Sequence, residues 1–146
     1  MSTEELKAKI NRALDEVYNK GNLSVVDDTA SESLVLHNPP FPDLVGREAY
    51  KQYITGVRAA YPDLQLTFDE LIGEAETTVA RWTLRGTHLG KSPTLPIPPT
   101  GKRVIIKGCL MTHWVEGRAA EHWNHIDYLG MLQQLGVVPA MGKREQ

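Results

Sequence analysis

Cysteine is almost absent from the sequence, since Cys109 is the only one among 146 residues. A single cysteine cannot form a disulfide bond within the chain. Stability must therefore come from a core of buried apolar side chains, for which the chain is long enough. Disulfides are rare in the cytoplasm, and we expect a cytoplasmic protein. Because Cys109 lies in an apolar segment, it is interpreted as a small buried residue rather than as a nucleophile.

Long hydrophobic runs and an excess of either charge are also missing. No apolar run approaches the roughly 18–20 residues that cross a bilayer. The N-terminal segment MSTEELKAKI is charged and has a helical pattern, which is not typical of a signal peptide. The formal net charge of −2 predicts neither a nucleic-acid surface nor attraction to an anionic membrane. We expect one domain over residues 1–146, without a cofactor and without a membrane or nucleic-acid partner.

The order of the predicted elements indicates the fold class. Ser2 and Glu5 fit a capping box at the start of a first amphipathic helix, which Gly21 ends. Helices then strands favour an α+β fold, in which a strongly curved antiparallel sheet wraps around N-terminal helices as a cone with an apolar pocket. The charged tail GKREQ is expected to be frayed. Further helices are predicted over residues 22–30, 46–61 and 127–135. Strands are predicted over 34–37, 64–68, 77–88 and 102–114, and the last of these enters a hairpin within residues 109–128.

Residues 109–128, CLMTHWVEGRAAEHWNHIDY, hold the densest group of polar and aromatic side chains. They are predicted to form two strands joined by a tight turn at Glu116–Gly117. Side chains alternate between the two faces of a strand. If the loop comprises Glu116–Arg118, His113 stands across from Glu121, which could orient it. One face is then predicted to carry Met111, His113, Glu121, Trp123, His125 and Asp127.

This face combines carboxyl groups, imidazoles and an indole, which suits proton transfer on an apolar substrate. The alternative is a solvated edge strand whose charges prevent aggregation. Trp123 argues against full exposure, because tryptophan is rarely left in open water. We therefore predict that this face lines the pocket.

Four residues outside the hairpin are further candidates for substrate binding. His37 and Asn38 precede a proline-rich segment that could form the lip of a pocket or an ordinary connection. Tyr53 could pack in the core or place its phenol at the pocket mouth. Arg81 could be half-buried beside a carboxylate, or be a surface charge with a packed stem.

Metal binding is the main rival explanation for the histidines. His122 and His125 have the spacing HxxH, but on a strand their rings point to opposite faces and cannot chelate one ion together. A site built from His113, His125 and a neighbouring carboxylate would depend on the strand register. We predict no metal.

Four short motifs resemble a known family. They are GTHLG (Gly86–Gly90), PPTGKR (Pro98–Arg103), EHWNHID (Glu121–Asp127) and QQLG (Gln133–Gly136). Together and in this order, they resemble the SnoaL-like polyketide cyclase and ester cyclase family of the nuclear-transport-factor-2-like superfamily, over nearly the whole chain. The resemblance implies a cone-shaped barrel with a deep apolar pocket, and a homodimer or higher homo-oligomer formed through the sheet.

The resemblance also implies residue roles. Asp127 matches the general acid/base of an intramolecular aldol closure that needs no metal or cofactor, and His113 matches a histidine facing it. Asn38, or its neighbour His37, matches an asparagine that lines the pocket. The expected function is cyclisation of an apolar carbonyl compound. The alternatives are hydrolysis or isomerisation in the same pocket, a non-catalytic ligand-binding module, and an interaction subunit that uses its sheet.

Overall fold

The computed structural model describes residues 1–139 and has the predicted α+β class. The predicted frayed tail lies outside the described residues. Glu5 N–H donates to the Ser2 side chain at 3.2 Å, which confirms the first helix cap. The elements in chain order are α1 (Thr3–Leu14), a π-helical turn (Asp15–Asn19), α2 (Ser24–Thr29), β1 (Ala30–His37), β2 (Leu44–Val45), α3 (Arg47–Ala60), β3 (Gln65–Glu74), β4 (Thr77–Thr87), β5 (Arg103–Val115), β6 (Arg118–Ile126) and α4 (Tyr128–Gln134).

The six strands form one sheet in the order β2-β1-β6-β5-β4-β3. Neighbouring strands are antiparallel with one exception, since β1 and β6 run parallel. The prediction of a purely antiparallel sheet is wrong at this pair. The parallel pair brings the end of β1 beside the end of β6, with His37 opposite Trp123.

The β5–β6 hairpin has the predicted pairing. His113 lies opposite Glu121 and Met111 lies opposite Trp123. The two turn residues, Glu116 and Gly117, both have positive φ angles of 50° and 76°, as the tight turns that suit twisted strands require. Up to His113, the register of the hairpin is the one expected from the sequence. A β-bulge between His113 and Trp114 shifts the pairing next to the turn, where Val115 lies opposite Arg118.

Burial alternates along β5 and shows which face is inward. Leu110 and Trp114 are buried, whereas Met111 and Val115 are exposed. The buried face packs against apolar residues of α1 and α3, among them Leu6 and Ile54. Helices on one side of the sheet thus leave its other side open to solvent. Within the described residues, no helix is long and apolar enough to span a membrane.

Candidate active site

An apolar cavity lies between the helices and the inner face of the sheet. Its volume is about 70 Å³. Apolar and aromatic side chains form most of its wall, and no carboxylate or imidazole of residues 1–139 lines it. The lining residues are Leu14, Tyr18, Leu36, Tyr50, Tyr53, Val57, Tyr61, Leu66, Trp82, Leu84, Ser92, Pro93, Thr94, Ile106, Leu110, Asn124, Ile126, Tyr128 and Met131.

A second, more open chamber adjoins this inner cavity. It has a volume of about 440 Å³ and lies between the segment after β1, α3 and the long proline-rich loop. Tyr53, Pro93 and Thr94 line both spaces, so they form the boundary between them. The larger volume lies in the range of known small-molecule sites, whereas the inner cavity alone is smaller. A ligand of several rings would therefore not fit in the inner cavity alone.

Hydrogen bonds between side chains orient the polar groups of the inner cavity. The Trp82 indole N–H donates to Oδ1 of Asn124 at 3.1 Å. The hydroxyl groups of Tyr18 and Tyr50 lie 3.4 Å apart. At the boundary, the Tyr128 hydroxyl donates to Oδ1 of Asn38 at 3.1 Å. The cavity thus presents amides and phenols to a ligand.

The phenols of this cavity stay protonated over the physiological range. Burial raises the pKa of Tyr50 and that of Tyr61 to about 12. Burial also raises the pKa of Tyr18 and Tyr53, and the Asn38 amide partly opposes the rise at Tyr53. Neutral phenols are hydrogen-bond donors and poor bases, so these tyrosines can stabilise a ligand oxygen more readily than they can remove a proton.

Asp127 and His113 do not lie in the cavity, and the predicted placement of both residues is wrong. Both are exposed. Asp127 is the N-cap of α4, where its carboxylate accepts the Gly130 N–H at 2.8 Å. His113 stands on the outer face of β5, and His125 is exposed on the same side of the sheet. The prediction chose the wrong face of the strands as the inner one. Alternation separates the two faces but does not show which of them packs against the helices.

His37 organises a separate cluster on the outer face. Its Nε2 lies 2.7 Å from Glu121 Oε2, and its Nδ1 lies 3.0 Å from Asp43 Oδ1. Its ring stacks on Trp123, with 5.1 Å between centroids. Hydrogen bonding to Glu121, and then to Asp43, raises the pKa of His37. Glu121 therefore bonds to His37 rather than to His113. The stacked His37 ring covers part of Trp123, which explains why this outer-face tryptophan is half-buried.

Arg81 and Met111 also face away from the cavity, contrary to their predicted role. Arg81 is exposed and lies 3.5 Å from Asp69 and 3.6 Å from Glu70. Arg81 has the carboxylate partners that one of its two interpretations predicted, but they lie on the surface. Met111 is an exposed apolar residue of the outer face.

Two of the predicted substrate-binding residues do lie at the chambers. Tyr53 borders both spaces, and Asn38 is buried in the wall of the outer one. Sequence reasoning missed Asn124, Trp82 and Tyr128. Asn124 lies on the face of β6 opposite to the one that the sequence predicted to line the pocket.

The described residues contain no group of three or more side chains that could hold a metal ion. His122 is buried and His125 is exposed, so the HxxH pair is divided between the two faces as predicted. His122 Nδ1 lies 2.8 Å from the Thr112 hydroxyl, and burial lowers the pKa of His122 to about 4. His122 is therefore a neutral core residue near pH 7.

The fold and the cavity define a cone-shaped α+β protein of the nuclear-transport-factor-2-like type. The model of the SnoaL-like polyketide cyclase family matches residues 8–135. The chain belongs to this family, which confirms the resemblance of its motifs.

Named relatives and solved structures agree with this assignment. Aklanonic acid methyl ester cyclase DauD of Streptomyces sp. strain C5 is 31% identical over 135 residues, covering 86% of this chain and 78% of that protein. The corresponding cyclase DnrD of Streptomyces peucetius is 28% identical and covers 86% and 87%. The structure of TsrD from Streptomyces laurentii is 28% identical, with a TM-score of 0.79 and coverage of 90% and 98%.

Proposed function

We propose that this protein is a cofactor-independent cyclase that closes a ring in an apolar, polyketide-type carbonyl compound by an intramolecular aldol reaction. The main support is the apolar cavity, into which Asn124 and several phenols direct polar groups. Membership of a family named for polyketide cyclases, and relatives named as aklanonic acid methyl ester cyclases, support the reaction class.

The cavity would act by folding the substrate and by donating hydrogen bonds. In the reaction, an α-carbon loses a proton to water, its electron pair forms the new C–C bond at a ketone carbon, and the resulting alkoxide takes up a proton. Substrate and product are therefore isomers. A hydrogen-bond donor held at the developing oxyanion contributes about 10²–10³ in rate in well-studied enzymes. Asn124 is the residue we place in this role.

A second candidate is a binding module that holds an apolar molecule without converting it. One specific observation favours it: among residues 1–139, no carboxylate or imidazole lines the inner cavity, so a strong general base is missing there. Binding without turnover would identify this function.

The experiment is to incubate the purified protein with aklanonic acid methyl ester and to follow the mixture by liquid chromatography and mass spectrometry. A cyclase produces a new peak of unchanged mass faster than buffer alone does. A Leu110→Trp variant, which fills the cavity, should lose this activity, and Met111→Trp, on the outer face of the same strand, should keep it. Binding of the ester with no new isomer would favour the module, and absence of binding would contradict both.

We also propose that the outer face of the sheet forms a homodimer interface. The strand pairings align Ile72, Val79, Met111, Trp123 and His37 in one row across five strands. Ile72 is 56% exposed and Met111 is 38% exposed, and a contiguous exposed apolar patch marks an interaction surface. Sedimentation of wild type and Met111→Glu tests this role: the wild type should be a dimer and the variant a monomer. A monomeric wild type would refute it.

A further inference from the structure

A tryptophan on β4 reaches an asparagine on β6 across the inner face of the sheet. Trp82 lies opposite Gly108 of β5, the strand between the two. Asn124 lies opposite Leu110, the next inward residue of β5. Trp82 and Asn124 both line the inner cavity, and the indole N–H donates to Oδ1 of Asn124 at 3.1 Å. The indole therefore crosses β5 at Gly108.

Gly108 provides the room for this crossing. A Cβ added there would lie 2.6 Å from Cε2 of Trp82 and 2.8 Å from the carbonyl oxygen of His125, which is too close on both sides. The φ angle of Gly108 lies outside the left-handed region, so the backbone itself does not require glycine. The other inward positions of β5 all carry buried side chains, and these residues are Val104, Ile106, Leu110, Thr112 and Trp114.

The indole determines which end of the Asn124 amide meets a ligand. An indole N–H can only donate, so it pairs with Oδ1, and Nδ2 points elsewhere. Without this partner, the amide could turn over and present its oxygen in place of its NH₂ group. A ligand oxygen or an oxyanion is stabilised by the NH₂ group and repelled by Oδ1.

We propose that Trp82 and Gly108 are positioning residues, which together hold Asn124 as a hydrogen-bond donor to the ligand. Gly108 admits the indole across β5, and the indole then orients the amide. This inference rests on the proposed function, in which Asn124 donates to the developing oxyanion. Both positioning residues act through Asn124 rather than on the reacting atoms.

Exchange of the indole protons with water, followed by nuclear magnetic resonance, tests the steric part of the proposal. In Gly108→Ala, the indole proton of Trp82 should exchange about tenfold faster, because the added methyl group displaces the ring from Asn124. The signal is assigned by its loss in Trp82→Phe. The indole proton of Trp114, which is bonded to Thr78, should keep its rate. An unchanged rate at Trp82 would overturn the proposal.

Two probes of the same shape test the direction of the amide. Acetophenone carries a carbonyl oxygen, and α-methylstyrene has a CH₂ group in its place. A change in cavity shape affects both probes alike, so the ratio of their affinities reports the hydrogen bond to the oxygen. Gly108→Ala and Trp82→Phe should each lower the affinity for acetophenone about tenfold relative to α-methylstyrene.

Gly73→Ala is the matched control. It also adds a methyl group to a strand, where the Cβ would lie 2.7 Å from Cγ2 of Thr3, and Gly73 belongs to the edge strand β3 rather than to the cavity wall. This variant should leave the affinity ratio and the exchange rate of the Trp82 indole proton unchanged. A loss in Gly73→Ala as large as that in Gly108→Ala would overturn the proposal.

The double variant distinguishes positioning from a general structural effect. Adding Gly108→Ala to Trp82→Phe should change the affinity ratio by less than about twofold, because the indole donor has already been removed. Two losses that multiply would show that Gly108 acts by another route and would overturn the proposal. Melting curves verify that each variant is folded. Trp82→Phe adds no bulk, so it carries the binding test if Gly108→Ala does not fold.

The outcomes separate this inference from the proposed function. An affinity ratio that is the same in wild type, Gly108→Ala and Trp82→Phe would overturn the positioning role and leave the ligand cavity intact. Failure of the wild type to bind either probe would overturn both. The predicted ratios without conversion of aklanonic acid methyl ester would support the positioning role and contradict the cyclase.

Discussion

The two faces of the β5–β6 hairpin both carry histidine and tryptophan but have opposite roles. The outer face carries Met111, His113, Glu121, Trp123 and His125, while the inner face carries Leu110, Trp114, His122 and Asn124. Both faces combine histidine, an indole and polar groups. What separates them is the packing of α1 and α3 against one side only. Chemical composition alone is therefore a poor guide to which face of a strand forms a site.

The two faces should differ most in how much a substitution lowers the free energy of unfolding. The consecutive residues Trp114 and Val115 of β5 allow a direct comparison. Trp114 is 1% exposed and its indole N–H donates to Thr78, whereas Val115 is 53% exposed. Trp114→Ala should lower the free energy of unfolding by about 3–5 kcal/mol, because it leaves a large cavity. Val115→Ala should change it by less than about 0.5 kcal/mol. Urea denaturation measures both, and equal effects would show that the faces are wrongly assigned.

The inner histidine should destabilise the protein in acid. Burial lowers the pKa of His122 to about 4, below its ordinary value of 6.5. The unfolded chain then binds more protons between these values, so stability is full above pH 6.5 and falls as the pH drops towards 4. The loss should be about 3 kcal/mol in total. His122→Leu should have a flatter profile of unfolding free energy against pH over this window; an unchanged slope would contradict the buried, neutral assignment.

His37, in the cluster on the outer face, should give stability the opposite dependence on pH to His122, and a weaker one. Its pKa is raised by Glu121 and Asp43, so its stabilising contribution is full below pH 6.5 and is lost as the pH rises through the folded-state value. His37→Asn should remove this dependence. Because the cluster is partly exposed, salt should weaken it. Chemical denaturation at pH 5.5 and pH 8, at low and high salt, measures the effect; a variant that lost more stability at pH 8 than at pH 5.5 would reverse the sign.

The sequence predicted the architecture and register better than the location of the site. A loop at Glu116–Arg118 predicted that His113 pairs with Glu121. The pair is present, but the turn is one residue shorter and a β-bulge beside His113 supplies the difference. Alternation could not say whether Asn124 or Trp123 faces inward, since that depends on helices distant in sequence. Trp123 was misleading because His37, not the core, covers it. Asn38 and Tyr53 border the chambers, which is one of the two positions that the sequence left open for each.

The central claim is that the inner face of β6, and not its outer end, carries the chemistry. The most direct measurement compares turnover of aklanonic acid methyl ester by Asn124→Leu and by Asp127→Asn. Asparagine caps a helix as well as aspartate does, so the second change keeps α4 intact. We expect Asn124→Leu to lose about a hundredfold in turnover, with Asp127→Asn close to wild type. A large loss in Asp127→Asn, with Asn124→Leu unaffected, would contradict the account.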